Sequence, residues 1–175
     1  MIVSDLQLYN MKRCERLDEV IECLESDLSG HFKTNVSKDR TTLGVSKVCP
    51  RSLNTGYKEV FSRKGYRSYR PYSFCEIDFF KERVGVEIQF GKMDYIVYDI
   101  FSKFRPCHYD DILDFGIEVV PSRFLNKRLS HGVGCYDLEL TRLEKCKVDV
   151  PVALVALDVG NEQELNSQTI EEFFA

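Results

Sequence analysis

Two short runs separated by a charged turn constrain this chain more than any other feature. Phe74-Cys75-Glu76-Ile77-Asp78-Phe79-Phe80 is rich in aromatic and β-favouring side chains, and Lys81-Glu82-Arg83 follows it. The next run, Val84-Gly85-Val86-Glu87-Ile88-Gln89-Phe90, alternates strictly. Val84, Val86, Ile88 and Phe90 fall on one face, and Gly85, Glu87 and Gln89 on the other. A period of two is that of a strand, and so short a turn permits only an antiparallel pair. An isolated hairpin is marginal in water, so other elements must cover its apolar face.

The rest of the chain supplies them. Residues 13–28 predict an amphipathic helix through Leu17, Val20, Ile21, Leu24 and Leu28, ended by Gly30. Residues 31–53 are polar and aperiodic and read as loop, and 54–64 as a short helix running into Gly65. Beyond the hairpin, 94–104 predicts a helix with Ile96, Val97, Ile100, Phe101 and Phe104 on one face. Ile112–Val120 reads as a third strand, Ser122–Leu129 as a short helix and Val152–Val159 as a buried strand. Strands interleaved with helices predict an α/β (α+β) domain with a central mixed β-sheet flanked by helices.

At 175 residues the chain suits one domain with a sizeable core. Its 43% hydrophobic and 30% charged residues exclude global disorder. The apolar run from Val150 to Val159, with Asp158 inside it, is too short for a membrane span. Met1-Ile2-Val3-Ser4-Asp5 does not open like a secretory signal. Seven cysteines, odd in number and without a CxxC pair, disfavour a disulfide framework and a structural zinc site. Reduced thiols and a cytoplasmic location are the simpler expectation. Net charge is −4, but it is unevenly spread. Residues 31–72 carry ten Lys or Arg against two acids, whereas 137–175 carry nine acids against three bases. Such a dipolar chain suits a phosphate backbone on one side, although a solvated basic loop beside an acidic tail would look the same.

Chemistry enters on the polar face of the hairpin. Residues two apart on a strand lie roughly 6.5–7 Å apart on one face. The short turn brings Asp78 opposite Glu87 and Gln89, at about 5 Å between facing Cβ atoms. Two carboxylates converging in this way repel unless a cation sits between them. All-oxygen donors suit Mg²⁺, with Mn²⁺ able to substitute, and the Ile88 carbonyl is a third candidate ligand. A carboxamide is a poor base, so Gln89 is assigned to orienting an attacking water. A solvated sheet face would carry the same residues, and the spacing alone does not separate the two readings.

Further motifs extend the pattern. Ile77-Asp78, eight intervening residues and Glu87-Ile88-Gln89-Phe90-Gly91-Lys92 resemble the active-site hairpin of the PD-(D/E)xK nuclease superfamily. The resemblance is to the branch of BglII- and BstYI-like type II restriction endonucleases, in which Gln replaces the usual Lys. It continues through Tyr98-Asp99-Ile100-Phe101-Ser102-Lys103, Gly116-Ile117-Glu118-Val119-Val120-Pro121 and Leu129-Ser130-His131-Gly132-Val133, covering roughly residues 57–134. It implies a homodimer that grips double-stranded DNA and cuts both strands within a short palindrome, with GATC at its centre as the implied core. Asp78 and Glu87 would be metal ligands, Gln89 the residue replacing lysine, and Lys92 a nearby base. The chain would then divide into an N-terminal helix and basic loop (1–53), a catalytic and DNA-recognition core (54–134) and a C-terminal helix, strand and acidic tail (135–175).

Two departures stand out. Glu76-Ile77 precedes Asp78 where Pro is usual, and the chain is shorter than this branch leads one to expect, which bears on the target sequence more than on the chemistry. Glu59 stands where related nucleases often place an acid near the metal, although a solvated helix residue is the favoured reading. Ser102, Lys103, Lys127, Ser130 and His131 have side chains suited to phosphates and base edges and are the expected DNA contacts. The tract from Arg63 to Arg70 interleaves bases with tyrosines and fits either DNA contact or core closure. His108, without a spaced ligand pair, reads as a surface residue. A DNA-repair or structure-specific nuclease of the same fold, and a catalytically inactive DNA-binding module, are the alternatives.

Overall fold

The computed structural model describes residues 1–36, 44, 46–90, 95–129 and 134–159. In chain order these form β1 (Ile2–Tyr9), α1 (Glu15–Leu24), β2 (Thr34–Val36), β3 (Ser46–Val48) and α2 (Pro50–Arg63). Next come β4 (Arg67–Tyr72), β5 (Cys75–Lys81), β6 (Val84–Ile88) and α3 (Tyr95–Tyr98). A π-helical turn over Asp99–Phe104 leads directly into α4 (Arg105–Tyr109). The chain then forms β7 (Phe115–Pro121), α5 (Arg123–Arg128), α6 (Tyr136–Cys146) and β8 (Val152–Asp158).

Six strands make one mixed sheet in the order β1-β8-β7-β6-β5-β4. β6, β7 and β8 run parallel, and the outer pairings are antiparallel. Parallel strands are covered on both faces, which is why Phe115–Pro121 and Val152–Leu157 are apolar almost throughout and buried. On one face, α1 and α2 set Leu17, Leu24, Tyr57 and Phe61 against Val86, Val119 and Val155. On the other, Ile96, Ile100 and Phe104 pack on Ile77, Val120 and Leu154.

The second layer changes the reading of the hairpin. Gly85 and Glu87 do not face water; every residue of β6 is buried. Room for this comes from glycine. A Cβ on Gly116 would stand 2.2 Å from Phe104 Cδ2 and 2.5 Å from Cγ, so the ring rests directly on the β7 backbone. Gly116→Ala must push the 95–109 helical stretch off the sheet. A loss of about 1–3 kcal/mol or more is expected from overpacking, read as a lower midpoint in urea; an unchanged midpoint would disprove this packing argument.

Several boundaries differ from those read off the pattern. The first helix spans only Glu15–Leu24, although Leu28 beyond it is still buried. Within 31–53, taken as loop, lie the β2–β3 pair and the start of α2 at Pro50. Proline fits the first helical turn, where its missing N–H is not needed. The 94–104 helix runs on to Tyr109, and the third strand begins at Phe115, since Asp114 before it is held by Arg16 at 2.8 Å and Arg83 at 2.7 Å. β1 and β4, the two edge strands, had no clear alternation to announce them.

Candidate active site

A bulge in β5 aims Asp78. Arg67 pairs with Phe80 and Tyr69 with Ile77, so three steps of β5 face two of β4. Ile77 and Phe80 point to the layer of helices after β6, whereas Phe79 points to the α1–α2 layer. The extra residue is therefore Asp78, which can share a face with Glu87 across the hairpin. The pairing of Phe79 with Val86 puts these two opposite each other, and the Asp78 amide donates to Glu87 Oε1 at 3.4 Å.

Two more acids arrive from other elements. β6 and β7 pair in register, which sets Glu118 beside Glu87. Glu118 is fully buried, and neither of its carboxylate oxygens has a hydrogen-bond partner among the described residues. The π-turn carries Asp99 and Lys103. Lys103 Nζ donates to Glu87 Oε1 at 2.8 Å and makes an ion pair with Asp99 Oδ1 at 2.7 Å. Gln89, whose own amide still pairs with the Val119 carbonyl, donates from Nε2 to Asp99 Oδ2 at 3.4 Å.

Glu87 and Asp99 thus flank one ammonium, with Glu118 beside Glu87 on the next strand and Asp78 across the hairpin. Burial pushes Glu87 up to about 9, helped by Asp78 and Asp99 and opposed by Lys103. Burial likewise raises Asp99, against the lowering pull of Lys103 and Gln89. Glu118 is raised well above the usual carboxylate range by burial and by the charges of Asp99 and Glu87. For Lys103 burial works against the charge, but Glu87 and Asp99 outweigh it and hold the ammonium protonated.

This excess of negative charge is what a divalent cation would neutralise, and the donors are all oxygen. Among the described residues no three His, Cys, Asp or Glu side chains form a cation cage. Two carboxylates with a backbone carbonyl remain as the available set. A cleft of ≈ 250 Å³ opens onto Asp78 and Ile88, with Asn54 and Lys58 of α2 on one wall and Arg67 and Ser68 on another. Glu87 lies behind them, 2% exposed.

Asp78, Glu87, Ile88 and Gln89 are therefore brought together. Glu59 is not: it points away from the cleft, 3.4 Å from His31 Nε2. Asn54 and Lys58, four apart on α2, occupy the helix face that looks into the cleft, and one residue further turns Glu59 by about 100°. Lys103, expected at a DNA groove, has its side chain only 13% exposed and turned into the acids. Ser102 is half-buried and Lys127 exposed. Lys92, Ser130 and His131 lie outside the described residues. In the basic tract, Tyr66 closes the core, while Ser68 and Arg70 sit on the exposed edge strand and bond Glu76. His108 Nδ1 sits 3.0 Å from the Leu113 carbonyl, in keeping with a non-ligand role. All seven cysteines are free thiols.

Asp99 and Glu118 escaped attention as site residues. Each had one signal. Glu118 is an acid inside an otherwise apolar strand, and Asp99 an acid next to Ile100 and three residues from Ile96 on the apolar side of a helix.

Comparison with known proteins places this geometry in context. The model of a family described as "Restriction endonuclease BglII/BglIII" matches residues 10–157. The solved structure of restriction endonuclease BglII complexed with a DNA 16-mer is similar, with a TM-score of 0.74 and 21% sequence identity. That likeness covers 90% of this chain and 77% of the other. The structure of free BglII matches with a TM-score of 0.64 and 19% identity, over 90% of this chain and 80% of that one. No curated protein matches the sequence. Among the described residues no helix is long and apolar enough to cross a membrane.

Proposed function

The chain belongs to the BglII/BglIII restriction endonuclease family, and from that premise we propose that Asp78, Glu87 and the Ile88 carbonyl hold the Mg²⁺ with which it cuts DNA. Membership makes it a site-specific, DNA-binding type II endonuclease of a family that generally uses a divalent metal. The observation that carries the site is the convergence of Asp78 and Glu87 across the β5–β6 hairpin, with the bulge turning Asp78 onto the open cleft.

The cation, when bound, acidifies a water and neutralises charge developing on the phosphodiester. The side chains do the rest. Asp78, exposed on the cleft, meets the phosphate side, while Glu87 is held from behind by Lys103. Gln89 takes no proton, so it orients the attacking water by hydrogen bonds. Lys58 and Arg67 on the cleft walls offset the charge of an incoming backbone. Lys92, Ser102, Lys127, Ser130 and His131 contribute further contacts to phosphates and base edges. The enzyme works in the cytoplasm as a homodimer, because cutting both strands of a palindrome needs two sites related by a twofold axis. Its target is a short palindrome centred on GATC.

Cleavage of a long DNA with and without Mg²⁺ tests this reading. Discrete fragments whose ends share one palindrome by run-off sequencing are expected. Smears, cuts only at junctions, or cutting in EDTA would each sink it. Replacing both Lys58 and Arg67 by Ala is expected to weaken binding to all sequences alike and to lower the salt slope, log K against log[salt], by about 2. An unchanged slope would take these two bases off the DNA path.

A further inference from the structure

Glu87 lies near the end of β6 and Gln89 one residue past it, where its amide still pairs with the Val119 carbonyl at 2.8 Å and keeps the alternation of the strand. A single turn of the neighbouring helix reaches both. Lys103 Nζ contacts Glu87 Oε1 at 2.8 Å and Asp99 Oδ1 at 2.7 Å, and Asp99 Oδ2 accepts from Gln89 Nε2 at 3.4 Å. The contacts close a ring, from Glu87 through Lys103 and Asp99 to Gln89 and back along the strand through Ile88. The π-helical winding of Asp99–Phe104 is what offers both groups to the strand; such turns recur where a helix must place side chains for function.

Stability does not account for this arrangement. Asp99 is wholly buried and Lys103 nearly so, and a desolvated ion pair gains little over apolar residues of the same volume. Glu118 beside them adds a further acid with no hydrogen-bonded partner among the described residues. A core selected for stability alone would not collect three acids around one base.

Orientation does account for it. A carboxamide has a donor end and an acceptor end, and an ionised carboxylate only accepts. Asp99 therefore draws Nε2 and turns the Gln89 oxygen away from itself. Lys103 does the corresponding work on Glu87 by fixing Oε1. We infer that Asp99 and Lys103 form a positioning clamp that sets the orientation of both Glu87 and Gln89 for cleavage. The inference rests on the reading of Asp78, Glu87 and Gln89 given above.

Asp99→Asn replaces an acceptor-only group by one that can also donate, which removes the preference of this contact for the Nε2 end of Gln89. Lys103→Met keeps the length of the side chain without its charge. The double variant Asp99→Asn/Lys103→Met removes one charge of each sign, so it folds with the same net charge if either single variant does not. In each, single-turnover cleavage of long DNA is expected to fall about 10- to 100-fold, as for other groups that orient metal ligands. The Mg²⁺ concentration for half-maximal cleavage is expected to rise about tenfold or more over the same range of effects. Duplex binding in Ca²⁺ is expected to stay unchanged, because Asp99 is wholly buried and Lys103 is turned into the acids.

A merely structural pair would lower the melting temperature and leave the Mg²⁺ curve in place, and that result overturns the clamp. Full cleavage by the double variant overturns it as well. Asp78→Ala and Gln89→Ala run alongside separate the two readings. If both lose cleavage while the clamp variants keep it, the clamp falls and the site stands. If Asp78→Ala still cuts, the site reading falls and the clamp with it.

Discussion

Asp78→Ala is expected to abolish cleavage while DNA binding persists. The carboxylate is the exposed member of the pair, at the mouth of the cleft, and its removal leaves Glu87 as the one side-chain ligand of the proposed set. Charge stabilisation of several kcal/mol is at stake at a metal-bound phosphoryl oxygen, and about 4 kcal/mol corresponds to 10³-fold in rate. A loss on the order of 10³-fold or more is therefore expected in single-turnover cleavage. Binding in Ca²⁺-free buffer should hold or tighten, since a negative charge has been taken from the path of a polyanion. Glu87→Gln is expected to lose cleavage to a similar extent, because a neutral carboxamide takes away the anionic ligand of the proposed set. A fully active Asp78→Ala enzyme would remove the hairpin from the chemistry altogether.

Stability of the metal-free protein should fall as pH rises from about 5 to about 9, the reverse of ordinary acid denaturation. An unfolded glutamate titrates near 4.3. In the folded protein Glu87 is pushed up to about 9, by burial first and then by Asp78 and Asp99. Asp99 and Glu118 move in the same direction. Between these limits folded Glu87 keeps a proton that the unfolded state has released. Each such proton then costs up to about 1.4 kcal/mol of stability per pH unit. Below about pH 4 both states are protonated and above about 9 neither is for Glu87, so its slope vanishes outside the window. Lys103, held above the usual lysine value, stays charged throughout it.

Divalent metal reverses the trend, because ligation requires the deprotonated carboxylate and displaces its proton. Thermal melts in EDTA from pH 5 to 9 are expected to slope downward, and melts in Mg²⁺ to be flatter, with the largest metal-induced rise at the alkaline end. Glu118→Gln should remove part of the slope in EDTA. Melts in EDTA that are level or rise with pH would contradict the burial and crowding of these acids.

These outcomes depend on residues that were unequally legible. Asp78, Glu87 and Gln89 were readable because a strict two-residue period sets the facing and a short charged turn brings the two runs together. The register follows from a two-residue turn, Glu82-Arg83, which pairs Lys81 with Val84. The buried strand at 152–159 was readable for a similar reason, as a run too apolar for any exposed element. Glu59, open between an acid near the metal and a solvated helix residue, lies one helical step off the face that meets the cleft. A helix propensity says that residues 54–64 form a helix, but which face meets the cleft follows from how Tyr57 and Phe61 seat in the core. Lys103 looked like a surface base at a helix end, and only the packing of Ile96, Ile100 and Phe104 on the sheet turned it inward.

The sequence by itself determined the hairpin, the two runs that face each other and the oxygen character of their polar groups, since these rest on local geometry; the bulge against β4 that turns Asp78 to the cleft does not. Tertiary structure decided whether the polar face of β6 would be wet or dry. A helix laid over Gly85 and Gly116 closed it, and closure is what drives Glu87 upward. It also decided the company Glu87 keeps. Glu118 is 31 positions away and arrives through parallel strand pairing, while Asp99 and Lys103 arrive through a π-turn. No local period encodes either event, because each is settled by how distant surfaces fit.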